Sequence, residues 1–199
     1  MTLLHALDLL STFVFALVGA RVAADRGLDY GGITFIATVA SISGGTLRNV
    51  FLGIMPVWIS DPWILASILA AVIITLTFRR VTHVGKTLLA MDTFALATAT
   101  MSGTQLAFEI NIPWYSSIIF GVITAVTGGL LRDVLCQVEP VLLHRETIGT
   151  SALMGASTFV ALVALDVAQF PAVIMGGFIV IATRFFSIQF DLHLPKFVK

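Results

Sequence analysis

Long apolar runs separated by short polar or proline-containing segments dominate the chain. A membrane-spanning helix needs about 20 consecutive, mostly apolar residues, and seven segments approach that length. The segments between them carry turn-forming residues, including Pro56, Pro113 and Pro140. This pattern predicts an all-α integral membrane protein with seven transmembrane helices. The predicted spans are residues 4–24, 31–53, 62–78, 87–108, 114–136, 147–166 and 171–190.

The composition agrees with a location in lipid. Hydrophobic residues make up 58% of the chain and charged residues 11%, and the mean hydropathy is +1.02. A soluble domain carries about 25% charged residues, so the composition excludes that class. The formal net charge is zero, which argues against a nucleic-acid partner. Cys136 is the only cysteine, so no intrachain disulfide forms, no cysteine cluster binds metal, and no cofactor is predicted.

The positive charges predict the orientation of the chain. Seven spans place the connecting segments alternately on the two sides of the membrane, and the lysines and arginines of the connections and tail then share one side. By the positive-inside rule that side is the cytoplasm. The N-terminus is therefore predicted to lie outside and the C-terminus in the cytoplasm. The charges on the predicted cytoplasmic side are Arg26, Arg79, Arg80, Lys86, Arg145, Lys196 and Lys199.

Two similar motifs lie inside apolar runs. The stretch GGTLRNV begins at Gly44, and the stretch GGLLRDV begins at Gly128. An offset of 84 residues aligns the two motifs, and the same offset aligns Asp8 with Asp92. Matches between leucines or alanines arise easily by chance, but a fixed offset that aligns aspartate, paired glycines and arginine does not. The motifs therefore indicate an internal repeat.

The number of spans in each repeat determines how the two copies are related. Each repeat holds three predicted spans, an odd number, so the second copy is inserted upside down relative to the first. The copies are then related by a pseudo-two-fold axis in the membrane plane. We therefore expect a first three-helix repeat in residues 1–84, an inverted second repeat in residues 85–168, and a seventh helix with a cytoplasmic tail in residues 169–199.

Paired glycines weaken a helix and are a known site of kinks. Broken backbone at membrane depth is tolerated only where it is buried in protein or faces water. We therefore expect Gly44–Gly45 and Gly128–Gly129 to break or kink the second and fifth spans where these meet at the midplane, as in ion and substrate sites of transporters. The alternative is that these glycines serve only close helix packing.

Charged residues lie inside the spans at equivalent positions of the two repeats. A charge within a span costs at least about 2.5 kcal/mol, so it normally faces the bundle interior and pairs. Two ion pairs are predicted, Asp8 with Arg48 and Asp92 with Arg132, one near each mouth of the central axis. The alternative is that they are packing bridges or snorkelling arginines that never meet a permeant species. Further polar candidates in the second and fifth spans are Ser43, Asn49, Thr127 and Asp133.

The arrangement of three spans, three inverted spans and one more, with GGxxR[ND] in the second and fifth, resembles prokaryotic members of the trimeric intracellular cation (TRIC) channel family. The resemblance covers nearly the whole chain. It implies a homotrimer in the inner membrane of a bacterium or archaeon, in contact with membrane lipid. It also implies a path in each protomer, between the second and fifth helices, for potassium and other monovalent cations. By this resemblance the kinks lie at Gly44, Gly45, Gly128 and Gly129, and the pore-associated charges are Arg48, Arg132 and Asp133.

Two functions stay open at this point. One is a cation channel, and the other is a secondary transporter for a small amino acid such as glycine, because the same sequence family includes bacterial proteins regarded as glycine carriers. A transporter would hold the substrate carboxylate at half-helix N-termini and rock one repeat against the other. An enzyme would need a nucleophile–base pair or metal ligands grouped at one depth, and the sequence offers no such group. The chain is therefore predicted not to be an enzyme.

Overall fold

Helices occupy the predicted spans. The computed structural model describes residues 2–78, 84–138 and 148–190, and all regular secondary structure in these ranges is helical. Seven long helices lie where spans are predicted, with ends that differ by at most three residues, and the structure adds one short helix between the second and third spans. The helices are α1 (Leu3–Asp25), α2 (Tyr30–Phe51), α3 (Val57–Ser60), α4 (Pro62–Thr77), α5 (Val84–Glu109), α6 (Trp114–Leu135), α7 (Ile148–Ala164) and α8 (Gln169–Gln189).

Three of the helices, α1, α6 and α8, are long and apolar enough to cross a membrane, judged by length and composition. Helices α4 and α7 are apolar but shorter, while α2 and α5 have the length but carry more polar residues. The count of seven crossings, the orientation and the repeat boundaries stay predictions. Several residues behind these predictions lie outside the described residues: Arg79, Arg80, Pro140, Arg145, Lys196 and Lys199.

Side chains cap the start of three helices. The first backbone N–H groups of a helix have no partner within it, and a side-chain oxygen at the preceding position accepts from one of them. Thr2 does this for α1. Asp29 accepts from the N–H of Gly32 at 2.7 Å for α2, and Asp61 accepts from the N–H of Trp63 at 2.9 Å for α4. These caps fix where the polar connections become helix.

Helices end in the same manner at equivalent positions of the two halves. Gly27 after α1 and Gly53 after α2 have φ values of 75° and 68°. At the positions 84 residues further on, Asn111 after α5 and Gln137 after α6 have φ values of 61° and 51°. A left-handed residue after the last turn lets the chain leave the helix while its final carbonyls stay hydrogen-bonded. The offset seen in the sequence therefore extends to the backbone.

Four helices, α1, α2, α5 and α6, form the centre of the bundle. Helix α1 packs against α2 and α5, and α6 packs against α5 and α2. Helix α4 lies against α1 and α2, and α7 lies in the equivalent place against α5 and α6. Helix α8 packs against α5 and α7, where a Cβ on Gly155 would lie only 2.7 Å from the carbonyl oxygen of Gly176. The two predicted repeats thus meet through their first and second helices.

Large apolar side chains cover much of the outer surface. Phe35, Trp114 and Phe178 are each about 60% exposed, and every long helix carries at least one large apolar side chain that is at least 40% exposed. An exposed apolar surface of this extent is the mark of contact with lipid or with another subunit. The polar residues described next lie instead in the interior.

Candidate functional site

Helices α2 and α6 touch at two glycines. A Cβ on Gly44 would overlap the carbonyl oxygen of Thr124, and a Cβ on Gly128 would overlap the carbonyl oxygen of Ala40. Positions 40 and 124 are equivalent under the offset of 84 residues, so one contact is made twice in opposite directions. Only glycine lets a helix come this close to a facing backbone carbonyl. The first glycine of each motif therefore serves helix packing.

Both glycine pairs lie within uninterrupted helix. Residues on either side of Gly44–Gly45 and of Gly128–Gly129 are α-helical, and α2 and α6 run through them without a gap. The prediction that the backbone breaks at these glycines is therefore wrong. The physical reason is that the missing side chain is used for close approach, which leaves the helical hydrogen bonds intact. A bend that preserves those bonds stays a prediction.

The second glycine of each pair faces its own arginine. A Cβ on Gly45 would have the Nη2 atom of Arg48 as its nearest neighbour, at 4.0 Å, and a Cβ on Gly129 would have the Nη2 atom of Arg132 at 3.8 Å. These separations are ordinary van der Waals contacts. The two glycines of each pair thus have different roles. The first allows the contact between the helices, and the second borders the guanidinium group.

Arg48 is fully buried and anchors a polar group that we call the Asp8 cluster: Asp8, Arg48, Asn49 and Ser102. Its Nη1 atom lies 3.2 Å from Asp8 Oδ1 and donates to Ser102 Oγ at 2.7 Å. Its Nε atom donates to Asn49 Oδ1 at 2.8 Å, and Ser102 donates to Asp8. Asn49 in turn donates to the carbonyl of Met55 at 2.9 Å. One carboxylate therefore balances one guanidinium.

Arg132 occupies the equivalent position in a second group, the Asp92 cluster: Asp92, Arg132, Asp133 and Arg184. Its Nη1 atom lies 2.7 Å from Asp92 Oδ1, and its Nε atom donates to Asp133 Oδ1 at 2.8 Å. The Nη2 atom of Arg184, which is 1% exposed, lies 3.6 Å from Asp92 Oδ2. Two carboxylates balance two guanidinium groups, so this cluster is also neutral.

Both predicted ion pairs are present, but two members of the clusters are not among the predicted site residues. Ser102 comes from α5, and its equivalent in the first repeat is Val18, so a comparison of the repeats does not point to it. Arg184 comes from α8, outside the predicted repeats. The sequence could have predicted a buried, paired Arg184, because a lone arginine in an apolar span normally faces the bundle interior and pairs with an acidic residue.

Two cavities flank the contact between α2 and α6. The Asp8 cavity has a volume of ≈ 40 Å³, and the Asp92 cavity a volume of ≈ 20 Å³. A buried water molecule needs a cavity of about 10–15 Å³. Both cavities are therefore large enough for water. Phe15 of α1 lines both cavities. Each cavity is bordered by the acidic residue that names it and by the arginine of the same cluster.

The two cavities differ in polarity, although their positions are equivalent. Hydroxyl groups line the Asp8 cavity, whereas apolar side chains occupy the equivalent places in the Asp92 cavity. A polar wall holds water more strongly than an apolar one. The equivalent pairs, with the Asp8 cavity first, are Thr12 and Leu96, Ser41 and Ala125, and Thr46 and Leu130.

The hydroxyl hydrogens of the Asp8 cavity are directed at the backbone. Ser11 donates to the carbonyl of Asp8 at 3.1 Å, Ser41 to that of Thr38 at 3.0 Å, and Thr46 to that of Ile42 at 2.7 Å. A hydroxyl has one donor and two acceptor lone pairs. The Thr46 oxygen also accepts from the indole N–H of Trp58 at 2.9 Å. Because the three hydroxyl donors are used within the helix, the lone pairs that remain face the cavity, and lone pairs attract cations and not anions.

Three of the predicted polar residues, Ser43, Asn49 and Thr127, do not line either cavity, and Asn49 instead belongs to the Asp8 cluster. Thr127 donates to the carbonyl of Ile123 at 2.6 Å within α6. The hydroxyl of Ser43 is buried without a hydrogen-bond partner in the described part of the chain, and it lies 3.9 Å from where a Cβ on Gly128 would be. Ser43 therefore belongs to the contact between α2 and α6.

Comparison with known proteins adds to this geometry. A family model described as "Glycine transporter" matches residues 5–80 and again residues 89–164. A UPF0126 membrane protein of Vibrio cholerae is 32% identical over 98% of this chain and 83% of its own length. The UPF0126 inner membrane protein YadS of Escherichia coli is 30% identical over 98% of this chain and 96% of its own length. The chain is thus a multi-pass protein of the inner membrane.

A solved structure shares both fold and sequence with this chain. The TRIC trimeric intracellular cation channel orthologue from Rhodobacter sphaeroides superposes with a TM-score of 0.90 at 32% sequence identity. The match covers 96% of this chain and 100% of that one. The chain therefore belongs to the family of the prokaryotic trimeric intracellular cation channels.

Proposed function

We propose that this protein is a cation channel permeable to potassium and other monovalent cations, and that it forms a homotrimer with one ion path in each protomer. The path runs through the Asp8 and Asp92 cavities, along α1, α2, α5 and α6. In this proposal the N-terminus lies outside and the C-terminus in the cytoplasm. The relative from Rhodobacter sphaeroides, a trimeric intracellular cation channel by its description, supports the assembly and the class of ion.

The observation that carries the proposal is the neutralisation of the buried arginines. Unpaired arginines projecting into a path would repel cations. Arg48 is paired with Asp8, and Arg132 with Asp92 and Asp133, so neither cluster adds net positive charge. Apart from Trp58, whose indole N–H donates to Thr46, the other polar side chains that line the Asp8 cavity carry hydroxyl groups. Their free lone pairs interact favourably with a small cation. Electrostatics along the path therefore favours cations.

The alternative is a secondary transporter for a small amino acid such as glycine, suggested by the description of the matching family model. A zwitterion needs hydrogen-bond donors for its carboxylate and acceptors for its ammonium group, and the unbroken helices α2 and α6 offer no half-helix N-terminus at their glycine pairs. The buried charged side chains are then the groups left to bind it. The Asp8 carboxylate and the Arg48 guanidinium are 3.2 Å apart, so each group already binds the other and neither is free to bind a substrate. Binding glycine between them would first require that pair to open.

Recordings from purified protein in planar bilayers separate the two functions. With different KCl concentrations on the two sides, we expect resolved unitary currents that reverse towards the potassium equilibrium potential and persist when sodium replaces potassium. Glycine uptake into vesicles, measured on the same preparation, is expected to match that of empty vesicles. Saturable glycine uptake without unitary currents would reject the channel.

A further inference from the structure

Phe15 lies between the two cavities. It is in the middle of α1 and only 5% exposed, and it lines both the Asp8 cavity and the Asp92 cavity. Within the described residues, no other side chain is shared by the two linings. A direct route from one cavity to the other therefore passes along Phe15.

The ring also breaks the symmetry of the repeats at this point. The position equivalent to Phe15 is Ala99, which lines the Asp8 cavity as well. If the first repeat carried alanine as the second does, methyl groups would stand on both sides of the space between the cavities. The first repeat thus places a large ring, beside the contact between α2 and α6, where the second repeat has a methyl group.

Much of the surroundings of the ring is apolar. Phe15 belongs to a buried apolar cluster that also contains Ala99, which lines the Asp8 cavity. Leu96 and Ala125, of the same cluster, border the Asp92 cavity. None of these three neighbours offers a side-chain hydrogen bond, whereas the hydroxyl of Thr12, one turn before Phe15, lies on the side of the Asp8 cavity. Narrow apolar constrictions stop ion flow because water, and with it a hydrated ion, is excluded from them. The ring stands where the hydroxyl-lined half of the protein meets the apolar half.

We propose that Phe15 is the constriction of this protein: its ring separates the two cavities, and a continuous aqueous path exists only when the ring is absent or turned away. The inference deepens the proposed function, on which it rests for the identity of the permeant ion. Phe15 touches the path directly, whereas the ion-pair clusters lie towards the two ends.

The test uses the full-length protein in lipid vesicles and two readouts, osmotic water permeability and potassium flux. Phe15→Ala is expected to raise both, the potassium flux by roughly tenfold, which corresponds to about 1.4 kcal/mol off the barrier. Phe15→Leu removes the ring but keeps a branched side chain, so it should act in the same direction with a smaller effect and fold even if the alanine variant does not.

Phe159→Ala is the matched control. Phe159 is a fully buried aromatic residue of α7 that lines neither cavity. Its loss therefore weakens packing without connecting the two cavities. Wild-type permeability in this control supports the inference. Wild-type water permeability and flux in the Phe15 variants, or an equal increase in Phe159→Ala, would overturn it. If Phe15→Ala raised water permeability but no variant conducted cations, the constriction would stand and the channel proposal would fail.

Discussion

Replacing Gly44 with alanine is expected to destabilise the protein markedly, whereas the same change at the adjacent Gly45 is expected to be tolerated. The added methyl group at Gly44 overlaps the carbonyl oxygen of Thr124, and a backbone atom cannot rotate away. Overpacking of this kind typically costs about 1–3 kcal/mol, or roughly 3–10 °C in the midpoint of thermal unfolding for a chain of this size. Thermal unfolding in detergent, followed by intrinsic fluorescence, measures the difference.

The second repeat supplies an independent copy of this experiment. Gly128→Ala should behave like the Gly44 variant, because its methyl group overlaps the carbonyl oxygen of Ala40. Gly129→Ala should behave like the Gly45 variant, since it meets only the end of a flexible arginine. If all four variants had the same midpoint of thermal unfolding, the contact between α2 and α6 would not contribute specially to stability.

Removing one partner of the Asp8 cluster is expected to cost more than removing both. Breaking a buried ion pair on one side leaves an uncompensated charge and typically costs about 3–5 kcal/mol. Arg48 is fully buried and its pair with Asp8 spans 3.2 Å, so Arg48→Met and Asp8→Asn should each lower stability strongly. The double variant leaves no unpaired charge, and it should recover part of the loss in the same unfolding measurement.

A surface pair provides the control for this cycle. Arg21 and Asp25 are four residues apart on α1, at 3.2 Å, and the Asp25 side chain is 48% exposed. Exposed pairs contribute about 0–1 kcal/mol, so Asp25→Asn, at the exposed member of the pair, should change stability little. Strictly additive effects of Arg48→Met and Asp8→Asn would show that the two residues do not act as a pair.

The long helices and the ion pairs were predictable because both follow from the cost of polarity in lipid. Apolar runs must be about 20 residues long to cross a membrane, and a charge within one must find a partner. Asp8 and Arg48 lie inside predicted spans, and Asp92 and Arg132 take the equivalent positions in the second repeat. Lone charges and repeat symmetry therefore sufficed to pair them.

Other features depend on tertiary contacts that no local pattern reveals. The paired glycines predict either a broken helix or close packing, and the choice depends on the facing carbonyls of Ala40 and Thr124. Ser102 joins the Asp8 cluster from a run of polar residues on α5, where serine and threonine usually bond to their own helix. Phe15 is one of many apolar residues in α1, and only the positions of the two cavities distinguish it.

The place of the ion path can be measured by modifying a cysteine introduced into the Asp8 cavity. Ser41→Cys keeps the size of the side chain, and Cys136→Ser removes the only native cysteine. A positively charged methanethiosulfonate reagent, added from the side where Asp8 lies, should reduce the unitary current of this variant, while Ile119→Cys on the exposed face of α6 should be unaffected in the same background. Full modification of the Ser41→Cys variant with an unchanged current would show that cations do not pass between the repeats of a protomer.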